Sequence, residues 1–319
     1  MKIEIKNEIF NLEKITDLNI YFPDYVKTYL ENYIVFLENN KIKTEDVKKF
    51  TRGINCCLRE YYSGQHKSAR EFFAEAMGNV NFEELYEIIN KESVFFRARK
   101  AEKDAEALRK AKEMFHIPLE MRYRASTERY SYPGIPCLYL GSSCEVCCEE
   151  LNDWSENLNI AYIKKIGTEK IKVLNLHFFE KYNFEDLNEE DFKRFVKFWP
   201  LVACCSFSYM ETKEMTFRPD YIIPQFLLEY IIDRDLNKLL TGKDDSELVC
   251  GIKYHSAKKK FFECSKEISY NNYVFPVNSD KKEGLSEFLE AVFEIKEVHF
   301  LKEVMLELNN GNVEDNQIF

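Results

Sequence analysis

Residues 129–151, RYSYPGIPCLYLGSSCEVCCEEL, gather one arginine, several tyrosines, a set of carboxylates and four of the chain's ten cysteines. Two chemistries compete for this stretch. Cys144 and Cys147 form a C-x-x-C, which suits metal or redox work. A structural zinc needs four ligands, however, and no second C-x-x-C or H-x-x-x-H accompanies this one. Small buried cysteines are the commoner use of such residues, so packing is their expected role. The other chemistry is a pocket to which Arg129, Tyr139 and Glu150 are presented by a strand, a turn and a helix.

The helix supplies the argument for Glu150. Ser142 followed by Glu145 reads as a capping box. At 100° per residue, Val146, Cys147, Leu151 and Trp154 share one face, and Glu150 falls among them. Glu149 lies near Glu145 on the opposite, wet side. A carboxylate on an apolar face is costly unless it is paired, protonated or used. A structural ion pair is the plain alternative to a catalytic role. Tyr139 precedes Glu150 by eleven residues, at the end of the strand feeding the helix, and Arg129 is expected on a preceding strand.

The surrounding elements must position these groups. Residues 20–90 read as helical, with Thr44 as an N-cap and breaks at Asn39-Asn40 and Gly64. At SVFFRARK the texture changes to a strand, on which Arg97 and Arg99 share a face. A charged helix is expected over 101–115. IPCLYLG, IAYIKKI, IKVLNLHF, LVCGIKYHS and NNYVFPV read as strands, and EIKEVHFL as a further one. NEEDFKRFVKFWPLVACCSF and YIIPQFLLEYIID read as helices. Strands scattered among unequal helices point to an α+β layer fold.

Composition narrows the function. A net charge of −10 without a basic block argues against gripping a nucleic-acid backbone. Lys258-Lys259-Lys260 is a short run that reads as solvated surface. Small anionic ligands remain open, since a few local arginines suffice to hold them. MKIEIKNEIF lacks the apolar core of a signal peptide, and no stretch approaches the roughly 18 apolar residues of a membrane span. Adjacent cysteine pairs at 56–57, 147–148 and 204–205 suit a reduced cytoplasm.

The order of these pieces resembles the RES domain family, named for an arginine, a glutamate and a serine. FFRAR is similar to its opening strand and puts Arg97 in the arginine's place, with Arg99 a rival beside it. RYSYPGIPCLYLG followed by CEE resembles the family's RF-x-PPGIPVLYLA segment. It aligns Arg129 with a second arginine, Tyr139 with the pocket tyrosine and Glu150 with the glutamate. YIIPQFLLEYI is similar to its Y-x-x-x-Q-x-I helix. GIKYHS resembles G-I-x-Y-x-S and puts Ser256 in the serine's place; NNYVF resembles the closing N-x-x-x-F. The likeness covers about residues 93–278. Glu128 departs from it, standing where many members carry glycine, and about 90 residues precede it.

The resemblance implies an ADP-ribosyltransferase-like domain over 91–319 behind a helical N-terminal domain over 1–90. It implies a cytoplasmic enzyme that consumes NAD and passes ADP-ribose to inorganic phosphate or water, with no metal. Catalytic roles fall to Arg97, Glu150 and Ser256, and NAD-binding roles to Arg129, Tyr139 and Arg99. Many members are toxins of toxin–antitoxin or defence systems, paired with a helical antitoxin, and a homodimer is compatible with that setting. Protein ADP-ribosylation, or a silenced interaction protein with the same fold, is the alternative. The front portion is expected to restrain the enzyme.

Overall fold

Apolar residues alternate in the short runs and recur at three-and-four spacing in the longer ones, which separates strands from helices along this chain. The computed structural model describes residues 8–78, 80–100, 111–168, 170–182, 187–210, 215–233, 249–257, 270–277 and 279–309. Its helices are α1 (Phe22–Asn39), α2 (Glu45–Tyr62), α3 (His66–Gly78), α4 (Cys144–Leu151), α5 (Glu189–Ser206), α6 (Ile222–Ile231), α7 (Glu287–Val292) and α8 (Leu301–Asn309). Its strands are β1 (Tyr86–Ile89), β2 (Val94–Arg99), β3 (Cys137–Gly141), β4 (Asn159–Lys165), β5 (Ile171–Asn175), β6 (Val249–His255), β7 (Asn271–Pro276) and β8 (Phe293–Phe300). The α+β class is as expected. The expected helix over 101–115 lies largely outside the described residues; its described end is a short 3-10 turn, Ala111–Met114.

One compact unit comprises 1–85 with 177–230, and the other comprises 86–176 with 231–319. This corrects the expected cut at residue 90. The segment 177–230 joins the N-terminal helices because α5 is apolar along most of its length. Phe195, Val196, Phe198, Trp199 and Leu201 are all buried. The Tyr33 hydroxyl donates to the Val196 carbonyl at 2.7 Å, and the Trp199 indole N–H donates to the Tyr29 hydroxyl at 2.7 Å. In α2 the buried residues Val47, Phe50, Thr51, Ile54, Cys57 and Leu58 follow the helical period. Gly53 lets α3 approach closely, since a Cβ there would stand 2.5 Å from that of Ala76. Thr44 occupies the N-cap position of α2, but its side chain makes no capping hydrogen bond.

The second unit is built on one sheet in the order β1-β5-β6-β7-β3-β2-β4-β8. Every neighbouring pair is antiparallel except β5–β6. Strand β1 falls within the stretch expected to be helical, and it pairs with β5 through Tyr86↔Leu174 to Ile89↔Ile171. The two faces carry separate cores, and successive residues of β2 divide between them. Phe95 packs with Leu138, Leu140, Phe275 and Phe293, whereas Phe96 packs with Cys144, Cys147, Cys148 and Tyr162. Among the described residues, no helix is long and apolar enough to cross a membrane.

A buried histidine fastens α7 to this unit. His116 is 1% exposed; its Nε2 accepts the backbone N–H of Ser286 at 2.8 Å, so the proton sits on Nδ1, which faces the Ile117 carbonyl at 2.8 Å. Burial lowers its pKa, against the Ile117 carbonyl, which favours the proton, while the nearby Arg97 charge lowers it further. The unfolded chain therefore takes up this proton first as pH falls below about 6.5, and the folded state loses stability from there down to the depressed folded value. The expected result is a fall in Tm between pH 7 and 5 that is shallower in His116→Gln. Equal slopes in scanning calorimetry would remove this histidine from the account.

Candidate active site

Three neighbouring strands and one helix converge on Glu150. Strand β3 runs to Gly141, after which Ser142 and Ser143 turn the chain into α4. The N-cap is Ser143, whose hydroxyl oxygen accepts the Val146 N–H at 3.3 Å, and not the expected Ser142. Ser142 is drawn to the neighbouring strand instead. Its N–H donates to the Asn271 carbonyl at 2.9 Å, and its Oγ accepts the Asn271 N–H at 3.1 Å. The start of α4 is thereby clipped to β7.

Cys144, Val146, Cys147 and Cys148 are the buried residues of α4, and the helix ends at Leu151 with Asn152 in the left-handed region at φ 48°. The expected apolar face is thus wrong at its far end. Leu151 is 39% and Trp154 49% exposed, because the chain leaves the helix before Trp154 can join that face. Glu150 is held by polar partners. Its Oε1 accepts the Ser256 hydroxyl at 2.6 Å and the Asn272 Nδ2 amide at 2.6 Å. Both donors are buried, Ser256 just beyond β6 and Asn272 on β7. Oε2 takes no hydrogen bond from the described residues.

Pairing fixes which side chains share this face. Tyr139 lies opposite Val274, Gly141 opposite Asn272, Tyr254 opposite Asn272, and Phe96 opposite Gly141. Phe96↔Gly141 is the pair that joins β2 to β3, and there the two strands part. Arg97, next along β2, leaves on the Phe95 side. Its Nη1 donates to the Tyr139 carbonyl at 2.7 Å, closing the split with a charge, while its buried Nε has no hydrogen-bond partner among the described residues. Burial and the neighbouring Arg99 push the Arg97 pKa down to about 10, so the guanidinium remains cationic at neutral pH. Arg99 donates to the Glu113 carbonyl.

Arg129 sits in a tight turn, not on the expected strand. Glu128 and Ser131 exchange N–H···O bonds of 3.3 and 3.2 Å around Arg129 and Tyr130. Tyr130 is buried with its ring centroid 4.6 Å from that of Tyr254. The same turn flanks Tyr139: burial holds the phenol pKa well above 10, with Ser131 and Glu128 among the groups it senses. Glu128, the departure from the family pattern, accepts the Ser126 hydroxyl at 2.9 Å.

The structure thus joins Glu150 to Ser256 directly and Arg97 to Tyr139 through the latter's backbone. It adds Asn272, which the sequence reading missed. Tyr221 and Gln225, of the family-like helix, belong to the other compact unit, and Lys258-Lys259-Lys260 lie outside the described residues. The cysteines of α4 are packing: burial is the main cause that raises the Cys147 and Cys148 thiols to about 12, and the Cys147 thiol faces the Phe96 carbonyl at 3.3 Å. Among the described residues no group of three or more His, Cys, Asp or Glu is placed to hold a metal ion.

What this arrangement can do is bring a pinned carboxylate, one oxygen of which takes no hydrogen bond from the described residues, to a sheet whose split holds a desolvated cation. No protein-family model matches the chain, and no solved structure matches it. It is 32% identical over 304 residues to a protein of Bacillus subtilis (strain 168) named "Putative toxin YopC". The alignment covers 88% of this chain and 65% of that protein, so the chain spans just under two thirds of its relative's length.

Proposed function

We propose that the unit of residues 86–176 and 231–319 is the catalytic part of a cytoplasmic toxin of the RES type, with an ADP-ribosyltransferase-like fold, which cleaves the nicotinamide–ribose bond of NAD. The observation that carries this reading is the Glu150–Ser256 pair: two residues 106 apart in sequence meet at 2.6 Å, and they are the glutamate and serine of the resemblance. The toxin role is suggested by the name of the Bacillus relative.

The chemistry suits a single carboxylate. Nicotinamide leaves from a pyridinium and departs neutral, so the leaving group needs no acid, in contrast to glycosidases with two carboxylates. What the transition state needs is negative charge beside an oxocarbenium-like sugar, held in place before the reaction. Glu150 supplies that charge. Arg129 binds the diphosphate and orients an incoming phosphate, while Arg97, bonded to the Tyr139 carbonyl, and Arg99 supply positive charge from the Phe95 side of the sheet. Tyr139 packs against nicotinamide or ribose. Ser256 acts as a hydrogen-bond donor, since no G-x-S-x-G supports a serine nucleophile. A helical antitoxin partner and a homodimer belong to the same reading.

The test is nicotinamide release from NAD by the purified protein, with and without inorganic phosphate. Release that requires phosphate identifies ADP-ribose transfer to phosphate, and phosphate-independent release identifies hydrolysis. Label accumulating on protein would move the assignment to protein ADP-ribosylation. A folded protein that releases no nicotinamide in either buffer overturns the reading.

A further inference from the structure

We propose that Asn272 is a positioning residue for Glu150, setting which carboxylate oxygen meets the sugar; this rests on the reading of the site as one that cleaves NAD. Asn272 is 6% exposed and stands on β7, hydrogen-bonded into the sheet between β3 and β6. Its backbone is fixed on both sides, opposite Gly141 on one strand and Tyr254 on the other. Its amide therefore reaches Glu150 from a rigid base, the condition for holding a functional group to a fraction of an ångström.

Both donors, Ser256 and Asn272, go to Oε1. Two bonds, one from β7 and one from the residue just after β6, converge on Oε1 and hold its place more firmly than one bond would. Oε2 takes no hydrogen bond from the described residues. Both donors are neutral. An arginine or lysine in the place of Asn272 would hold the carboxylate equally well but would neutralise the charge that the sugar cation requires. An amide orients the group and leaves its negative charge available.

The test uses the full chain. In Asn272→Leu, nicotinamide release is expected to lose about 10²-fold in kcat, the scale of a misplaced catalytic group, with KM for NAD within about threefold. In Asn272→Asp, a second carboxylate stands where the amide touched Glu150, and repulsion between the two charges makes them share one proton until the pH is high enough to remove it and drive the pair apart. Activity in this variant should then decline as pH rises and that proton is lost, a limb absent from the parent enzyme. A purely structural asparagine would give losses without such a limb. A crystal structure of Asn272→Leu supplies a readout independent of turnover: the Glu150 carboxylate is expected to rotate away from Ser256.

An unmoved carboxylate, or kcat within twofold in Asn272→Leu, overturns the proposal. If the parent protein releases no nicotinamide while the carboxylate does move, the NAD reading fails and the positioning role stands.

Discussion

Glu150→Gln is expected to reduce nicotinamide release by about 10²–10³ while the protein keeps its Tm, the loss typical of removing one electrostatic stabiliser. The geometry around Oε1 predicts both halves of this result. A glutamine oxygen in the same place accepts the Ser256 and Asn272 bonds unchanged, so no buried donor is stranded. The amide nitrogen must then take the position of Oε2. It presents N–H dipoles to a developing cation where the carboxylate presented charge, and the stabilisation turns into repulsion. Glu150→Ala behaves differently. It takes the Oε1 acceptor away from the buried Ser256 and Asn272 donors, a loss of about 1–3 kcal/mol for each bond, so activity and Tm fall together. Turnover of Glu150→Gln within a few-fold of the parent, in a protein with unchanged Tm, would strip Glu150 of its assigned role.

Much of this site is legible locally, and its failures share one physical origin. A strand ending near Gly141, a helix after it and cysteines used as packing all follow from the period of the residues themselves. The choice of Ser143 over Ser142 as N-cap does not, because Ser142 is claimed by Asn271, 129 residues away. Asn272 is not singled out in the sequence: N-x-x-x-F in NNYVFPV picks out Asn271, and only the pairing with Gly141 and Tyr254 shows that its neighbour is the one on the Glu150 face. Strand β1 was hidden for a similar reason. YEII continues a helical texture, and its extended form depends on partners more than 80 residues away on β5. The segment 177–230 reads as part of the later domain until the burial of Phe195 and Trp199 joins it to the first helices. The parting of β2 from β3, which gives Arg97 its carbonyl partner, leaves no mark in FFRAR.

Gly141→Ala tests whether the site depends on how α4 is seated on the sheet. A Cβ at this position would meet the Cys147 sulfur at 2.6 Å and the Ser143 carbonyl oxygen at 3.2 Å. The first distance is a clash with a buried side chain, and the second crowds backbone that the N-cap of α4 has already fixed. Overpacking of this kind costs about 1–3 kcal/mol. Spread over a unit of this size, that lowers Tm by roughly 3–10 °C. Cys147 and Glu150 ride on the same short helix, so relief of the clash by lifting α4 also shifts the carboxylate away from Ser256. A displacement near 1 Å is enough to cost about 10²-fold in rate. Cys147→Ala removes the sulfur that the new methyl meets, leaving the milder approach to Ser143. The double variant is therefore expected to recover most of the stability and rate that Gly141→Ala loses, a coupling that independent sites do not show. Losses that simply add in calorimetry and in nicotinamide release would show that the close approach of α4 to Gly141 does not set the position of Glu150.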